Sequence, residues 1–209
     1  MKKFRIPPLL LLACLAALPG CVPVAVVGAG AAGALSYEDR RTTGTQVDDE
    51  GIELRTGNRI SEHYGDKVHV NITAFNHAVL LTGEVPDAKA KEDIEKIAAS
   101  VGNVRLVTND LRIGAPSTYS ARANDSAITG KVKARFVDAG KFSAVHVKVV
   151  TEASVVYLLG LVTETEANLA TEIARTTGGV NRVVKVFEYC KLGETNCAPT
   201  RFPAEEKKK

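Results

Sequence analysis

The chain is poor in the side chains that carry chemistry. Its 209 residues include four cysteines, four histidines, one methionine and no tryptophan. His63 and His77 are isolated, and no serine stands in a nucleophile-elbow motif. His69 and His146 occupy equivalent strand positions, which suits a structural or surface role. Asp48-Asp49-Glu50 and Glu92-Asp93 read as helix-start or exposed charges rather than as a cation site. Nothing here converges on a reaction, so the chain is read as a non-enzyme with no cofactor, no metal and no small-molecule substrate. Charge excess is missing too. The formal net charge of +3 equals the three cations Lys2, Lys3 and Arg5 at the start. Without them 24 of the 27 basic residues remain, against 24 acidic ones, and the basis for a nucleic-acid partner disappears.

A long apolar run is also lacking. Ile6 to Leu18 is apolar but too short and wrongly flanked to span a bilayer. After a basic start it reads as a signal segment over residues 1–20. It ends in Leu18-Pro19-Gly20-Cys21, which resembles a bacterial lipobox. Leu11-Leu12-Ala13-Cys14 is a second candidate that would leave a very short apolar run. An ordinary secreted protein cut near Gly20 is the plain alternative. The lipobox resemblance implies lipidation at Cys21 and more acyl chains than stable anchoring needs. Val22, rather than aspartate, then points to the outer membrane.

With Cys14 removed and Cys21 lipidated, Cys190 and Cys197 remain in an oxidising compartment. A disulfide closing the loop between them is expected. It would contribute at most about 2–3 kcal/mol. Two thiols alone make a poor zinc site, which calls for four ligands.

Gly28, Gly30 and Gly33 fit a dinucleotide-binding glycine pattern within VAVVGAGAAG. That pattern has meaning only inside a strand–helix–strand unit. Here a polar stretch, Tyr37 to Gly44, follows it without helical periodicity. The better reading is a small-residue segment at the lipid surface. Residues 21–47 are then a lipidated N-terminus and tether. The 26 residues from 22 to 47 span roughly 28 Å as a flexible coil.

The most informative feature present is an internal repeat. VHVNITAFNHAVLLTGEV (68–85) aligns without a gap on VHVKVVTEASVVYLLGLV (145–162). Val68, His69, Val70, Val79, Leu81, Gly83 and Val85 all recur 77 residues later. Each copy reads as helix, hairpin, helix, strand. The first helices are expected over 48–63 and 124–137, with Asn124 and Asp125 as N-cap candidates. Hairpins follow at 67–74 with 78–85, and at 144–151 with 154–162. Val155 to Leu159 is apolar throughout, as in a central covered strand. Second helices are expected over 87–101 and 164–177. Thr163 and Glu166 form a capping box, and Gly102 and Gly178 suit the helix ends. Last strands are expected over 104–112 and 180–189. The fold class is α+β: two tandem α-β-β-α-β modules, each a three-stranded mixed sheet packed by two helices.

The strings GTQVDD, VHVNITA, LLTGEV, NDSAITGKV, VHVKVVTE and GLVTETEA resemble the BON-domain family. With the lipobox, the whole chain is similar to dual BON-domain outer-membrane lipoproteins. The plan becomes BON domain one over 48–113, a linker over 114–123, BON domain two over 124–190 and a tail over 191–209. The resemblance implies a non-enzymatic protein, lipid-anchored in the outer membrane and facing the periplasm. It would bind anionic phospholipid and support envelope integrity.

Charge divides the copies. Residues 48–113 hold 8 basic and 12 acidic side chains, and residues 122–191 hold 10 basic and 7 acidic. Lys131, Lys133 and Arg135 crowd the first helix of the second copy beside Ile128, Val132, Phe136 and Val137. An apolar stripe flanked by cations suits an anionic headgroup layer. These seven residues are the expected lipid contacts. The family often carries an aromatic at the start of this helix, where this chain has Ala127. The alternative is a periplasmic adaptor whose acidic first module docks envelope proteins.

Overall fold

A computed structural model describes residues 39–191, together with 193, 194 and 197. The expected signal segment, Cys14, Cys21 and the glycine pattern at 24–33 lie outside the described residues, as does most of the tail.

Helix α1 runs over Thr43–Tyr64, and the Thr42 side chain accepts the Thr45 amide. A single 3-10 turn leads to β1 (His69–Phe75) and β2 (Ala78–Val85), then α2 (Ala88–Ala99). The edge opposite β1 is split into β3 (Leu106–Asn109) and β4 (Arg112–Ile113). Module two repeats the order with α3 (Tyr119–Ala139), β5 (Val147–Glu152), β6 (Val155–Val162), α4 (Glu164–Arg175) and β7 (Arg182–Tyr189). Each central strand pairs antiparallel with the strand before it and parallel with the strand after the helix.

Both first helices begin about a turn earlier than periodicity predicts. Thr42 and Thr118 cap them, and Asp125 is not an N-cap. The expected strand over 104–112 is broken where Leu111 turns inward, 2% exposed, and Asn109 Oδ1 accepts its amide. The left-handed residues after α2 and α4 are Asn103 and Gly179 rather than Gly102 and Gly178. His146 lies in a 3-10 turn ahead of β5, not within the strand. Thr163 and Glu166 do close a reciprocal capping box at α4.

Both helices of each module lie on one face of its sheet. In module one, Ile52, Ile60, Ile94 and Ala98 pack on Val79, Leu81 and Val85. In module two, Ile128, Val132, Phe136, Ala170 and Ala174 pack on Val156, Leu158 and Val162. The opposite faces meet each other. Phe75 and Leu80 join Tyr157, Leu159 and Leu161 in a third apolar cluster. The layers therefore run helix, sheet, sheet, helix, and all eight residues of β2 are buried. Cys190 and Cys197, with Sγ atoms 2.04 Å apart, belong to the same cluster.

The repeated glycines mark a close backbone approach. A Cβ on Gly83 would stand 2.1 Å from the His69 carbonyl oxygen, and one on Gly160 would stand 2.3 Å from that of His146. The two hairpins turn on residues other than glycine in the left-handed region: Asn76 and His77, then Ala153 and Ser154. Such a conformation costs roughly 1–2 kcal/mol per residue. A buried carboxylate offsets it in each copy. Asp49, 2% exposed, accepts the amides of Asn76 and His77, each at 2.8 Å. Asp125, 5% exposed, accepts those of Ala153 and Ser154, also at 2.8 Å. Asp49 is therefore no exposed charge; it is the first module's turn clamp.

Polar bonds register the two sheets. Tyr157 donates to Asp110 at 2.7 Å, and Lys148 donates to Glu53 at 2.8 Å. Asn76 and Arg105 of module one both donate to Glu188 of module two. Two arginines ahead of α1 complete the joint. Arg41 binds Asp49 at 2.8 Å and lies 4.0 Å over the Phe75 ring. Arg40 reaches into module two, where it holds Glu166 through both oxygens at 2.7 and 3.0 Å and donates to the Leu161 carbonyl. Burial pushes the Glu166 carboxyl up. Hydrogen bonds from His146, Arg40 and the Thr163 amide outweigh it and hold Glu166 well below the usual carboxylate range.

Replacing Asp125 by alanine strands two strained amides. It should cost about 3 kcal/mol in urea unfolding, with Asp125→Asn falling between. A loss under about 1 kcal/mol would mean that the turn holds itself. Arg40→Ala removes one partner of a buried pair and should cost about 3 kcal/mol at neutral pH. Because the folded Glu166 carboxyl is depressed, its contribution is complete above its ordinary value of 4.5 and fades as pH falls below it. The gap between wild type and Arg40→Ala should narrow over that acid range; a constant gap would count against the pairing.

Candidate functional site

Ile128, Val132 and Phe136 follow one another at i, i+4, i+8 and are at most 1% exposed. They fill the core between α3, α4 and β6. As lipid contacts these three are corrected: the periodicity that singles them out is that of the sheet-facing side. Arg135 is half-buried and caps the end of α4, donating to the Ile173 carbonyl at 2.8 Å and the Thr177 hydroxyl at 2.7 Å. It too is a structural cation. Lys131, Lys133 and Val137 remain at the surface, Val137 being 68% exposed.

The exposed side has its own pattern. Tyr119, Ala123, Ala127, Gly130, Ala134 and Val137 recur at i, i+4, i+8, i+11, i+15 and i+18. At 3.6 residues per turn they form one row on the side of the helix opposite the core row. All six are exposed, Tyr119 by 89%, and Arg122 lies 5.5 Å from the Tyr119 ring. Lys131 flanks the row on one side and Lys133 on the other. α3 is thus apolar on two faces, one inside the fold and one outside it. The sequence reading missed Tyr119 and Ala123 because it began the helix at 124. Thr118, a good cap two residues after Pro116, is the signal that would have found them. Helix α1 also exposes Val47 and Leu54, but its charges are acidic in excess and include no lysine.

A second concentration of polar groups lies at the module junction. His69 opens β1, and its Nδ1 meets Glu84 of β2 at 3.0 Å. Glu84 also accepts from Arg112 at 2.8 Å and from the Ser117 amide at 3.0 Å. Burial raises the Glu84 carboxyl, but these donors outweigh it and hold it low. Glu152 of β5 faces this group from module two, 4% exposed, and accepts a hydrogen bond from Asn71 at 2.5 Å. Burial pushes its carboxyl up, the Glu84 charge adds to that, and the Asn71 bond only partly opposes it. An open cleft of about 400 Å³ runs beside them, lined by His69, Asn71, Arg122, Thr129 and Glu152.

No helix among the described residues is long and apolar enough to cross a membrane. The BON domain model matches residues 48–115 and again residues 124–191. The chain is 39% identical over 174 residues to the outer membrane lipoprotein DolP of Haemophilus influenzae, covering 82% of this chain and 90% of that one. It is 35% identical over 153 residues to a 21 kDa hemolysin of Actinobacillus pleuropneumoniae, covering 72% and 79%. It is 28% identical over 144 residues to the osmotically-inducible protein Y of Escherichia coli, covering 67% and 72%. With two BON domains in tandem and this likeness along most of its length, the chain belongs to the BON-domain family, as a protein of the DolP type.

Proposed function

We propose that this is an outer-membrane lipoprotein, anchored through Cys21 and facing the periplasm, whose second BON domain rests on anionic phospholipid through the outer face of α3. The observation that carries the reading is the exposed row from Tyr119 to Val137 set between Lys131 and Lys133. Small side chains let such a helix lie close to the headgroups, with Tyr119 entering at one end and Val137 at the other. Each lysine near an anionic surface contributes about 1 kcal/mol, less in salt. That is too little to attach a protein but enough to orient one already held by an acyl anchor. The outer-membrane designation of the Haemophilus relative supports the location. The lipobox at Cys21 supports the anchor. Supporting envelope integrity is the role that fits an anchored, non-enzymatic module of this kind.

Sedimentation with phosphatidylglycerol-containing liposomes tests the reading, using a Cys21→Ser chain so that the anchor does not mask the contact. Lys131→Glu with Lys133→Glu should lower binding at least tenfold, since about 1 kcal/mol per cation is both lost and reversed. Tyr119→Ala should weaken it further, and pure phosphatidylcholine vesicles should bind little. Unchanged binding by the double variant would remove α3 from the account.

A further inference from the structure

We propose that His69, Glu84 and Glu152 form a divalent-cation site, suited to Zn²⁺, that ties the two BON domains together at their junction. One ligand atom from each lies within 4.8 Å of the others. The three come from β1, β2 and β5, so two are supplied by module one and the third by module two. An imidazole nitrogen with two carboxylate oxygens is a donor set for a first-row divalent ion rather than for Mg²⁺ or Ca²⁺. Zinc bonds of about 2.0–2.2 Å require ligand atoms roughly 3.5 Å apart, so the widest pair must close by about 1 Å.

The surroundings are those of a held site. Glu84 is fixed by the Ser117 amide and by Arg112, and Glu152 by the Asn71 amide, as outer-shell partners fix metal ligands. Arg112 engages Oε1 of Glu84, whereas His69 and Ser117 face Oε2. The Arg112 side chain is 52% exposed, so its guanidinium holds Glu84 from the solvent side. Glu152 is the telling member. It is 4% exposed, and among the described residues its hydrogen bond comes from a neutral amide. With Glu84 close by, a bound cation would offset the charge of both carboxylates. The cleft beside His69 and Glu152 provides an entry path and room for a water as fourth ligand. An ion held here would join β5 to β1 and β2, linking the open end of the first hairpin to the turn end of the second.

The full lipidated chain in detergent, with Cys190 and Cys197 oxidised, is titrated with ZnCl₂ by calorimetry. One ion per chain is expected, together with a rise in Tm. Glu152→Gln keeps an acceptor for Asn71 and should lower zinc affinity at least tenfold, as should His69→Ala, with Tm in the absence of metal reporting on folding. CoCl₂ added to the wild type should give visible d–d absorption, a readout that needs no variant. Absence of both stoichiometric zinc and the cobalt band overturns the proposal. So does zinc bound with equal affinity by the wild type and both variants, since the ion then sits elsewhere.

Discussion

A buried aspartate that grips two consecutive backbone amides is the constraint on which each module rests. The turn it holds joins the first two strands through left-handed residues other than glycine, Asn76 and His77 in one copy and Ala153 and Ser154 in the other. Held there, the turn sets the hairpin register: Val70 opposite Gly83 in one copy, Val147 opposite Gly160 in the other. That register decides which side chains face the helices and which face the other sheet, because a slip of one residue would exchange them all. The aspartate comes from the first helix, so the same two bonds also fix the helix on the sheet. Helix, turn and strand parity follow from one carboxylate per copy.

Once parity is set, the outer face of each sheet needs a cover, and the second copy provides it. Leu80 and Phe75 on one side meet Tyr157, Leu159 and Leu161 on the other. Central strands buried on both faces leave little freedom to the joint, and the polar pairs across it add direction. Asp110 with Tyr157 and Glu188 with Asn76 and Arg105 need a defined alignment to form. Two copies of one fold thus make one body, while their outward helices remain unlike.

Much of this was legible in the sequence, and the failures are instructive. The repeat, the module order, the covered central strand and the α4 capping box rest on local pattern, and local pattern is what a sequence displays. In the sequence the carboxylates at 49 and 125 look like exposed charge or a helix cap, because their partners lie 27 to 29 residues away across a turn. The outer row of α3 was hidden by the inner one. Ile128, Val132 and Phe136 supply the strong period, and the small residues opposite add no contrast to it. Arg135 looked like its lysine neighbours until the end of α4 came near it. The junction of His69, Glu84 and Glu152 depends on two modules meeting, which no spacing in the chain encodes.

The grip of Arg40 on Glu166 has a mechanical side. The arginine stands just ahead of α1, yet it is seated in the second module at the mouth of α4. A load transmitted along the chain reaches, within three residues, Asp39 tied to Arg41 and Arg40 seated in the far module. Arg41, next in line, passes the load to the near module through Asp49. Tension therefore enters both halves through neighbouring residues, where a link to module one alone would load only that half.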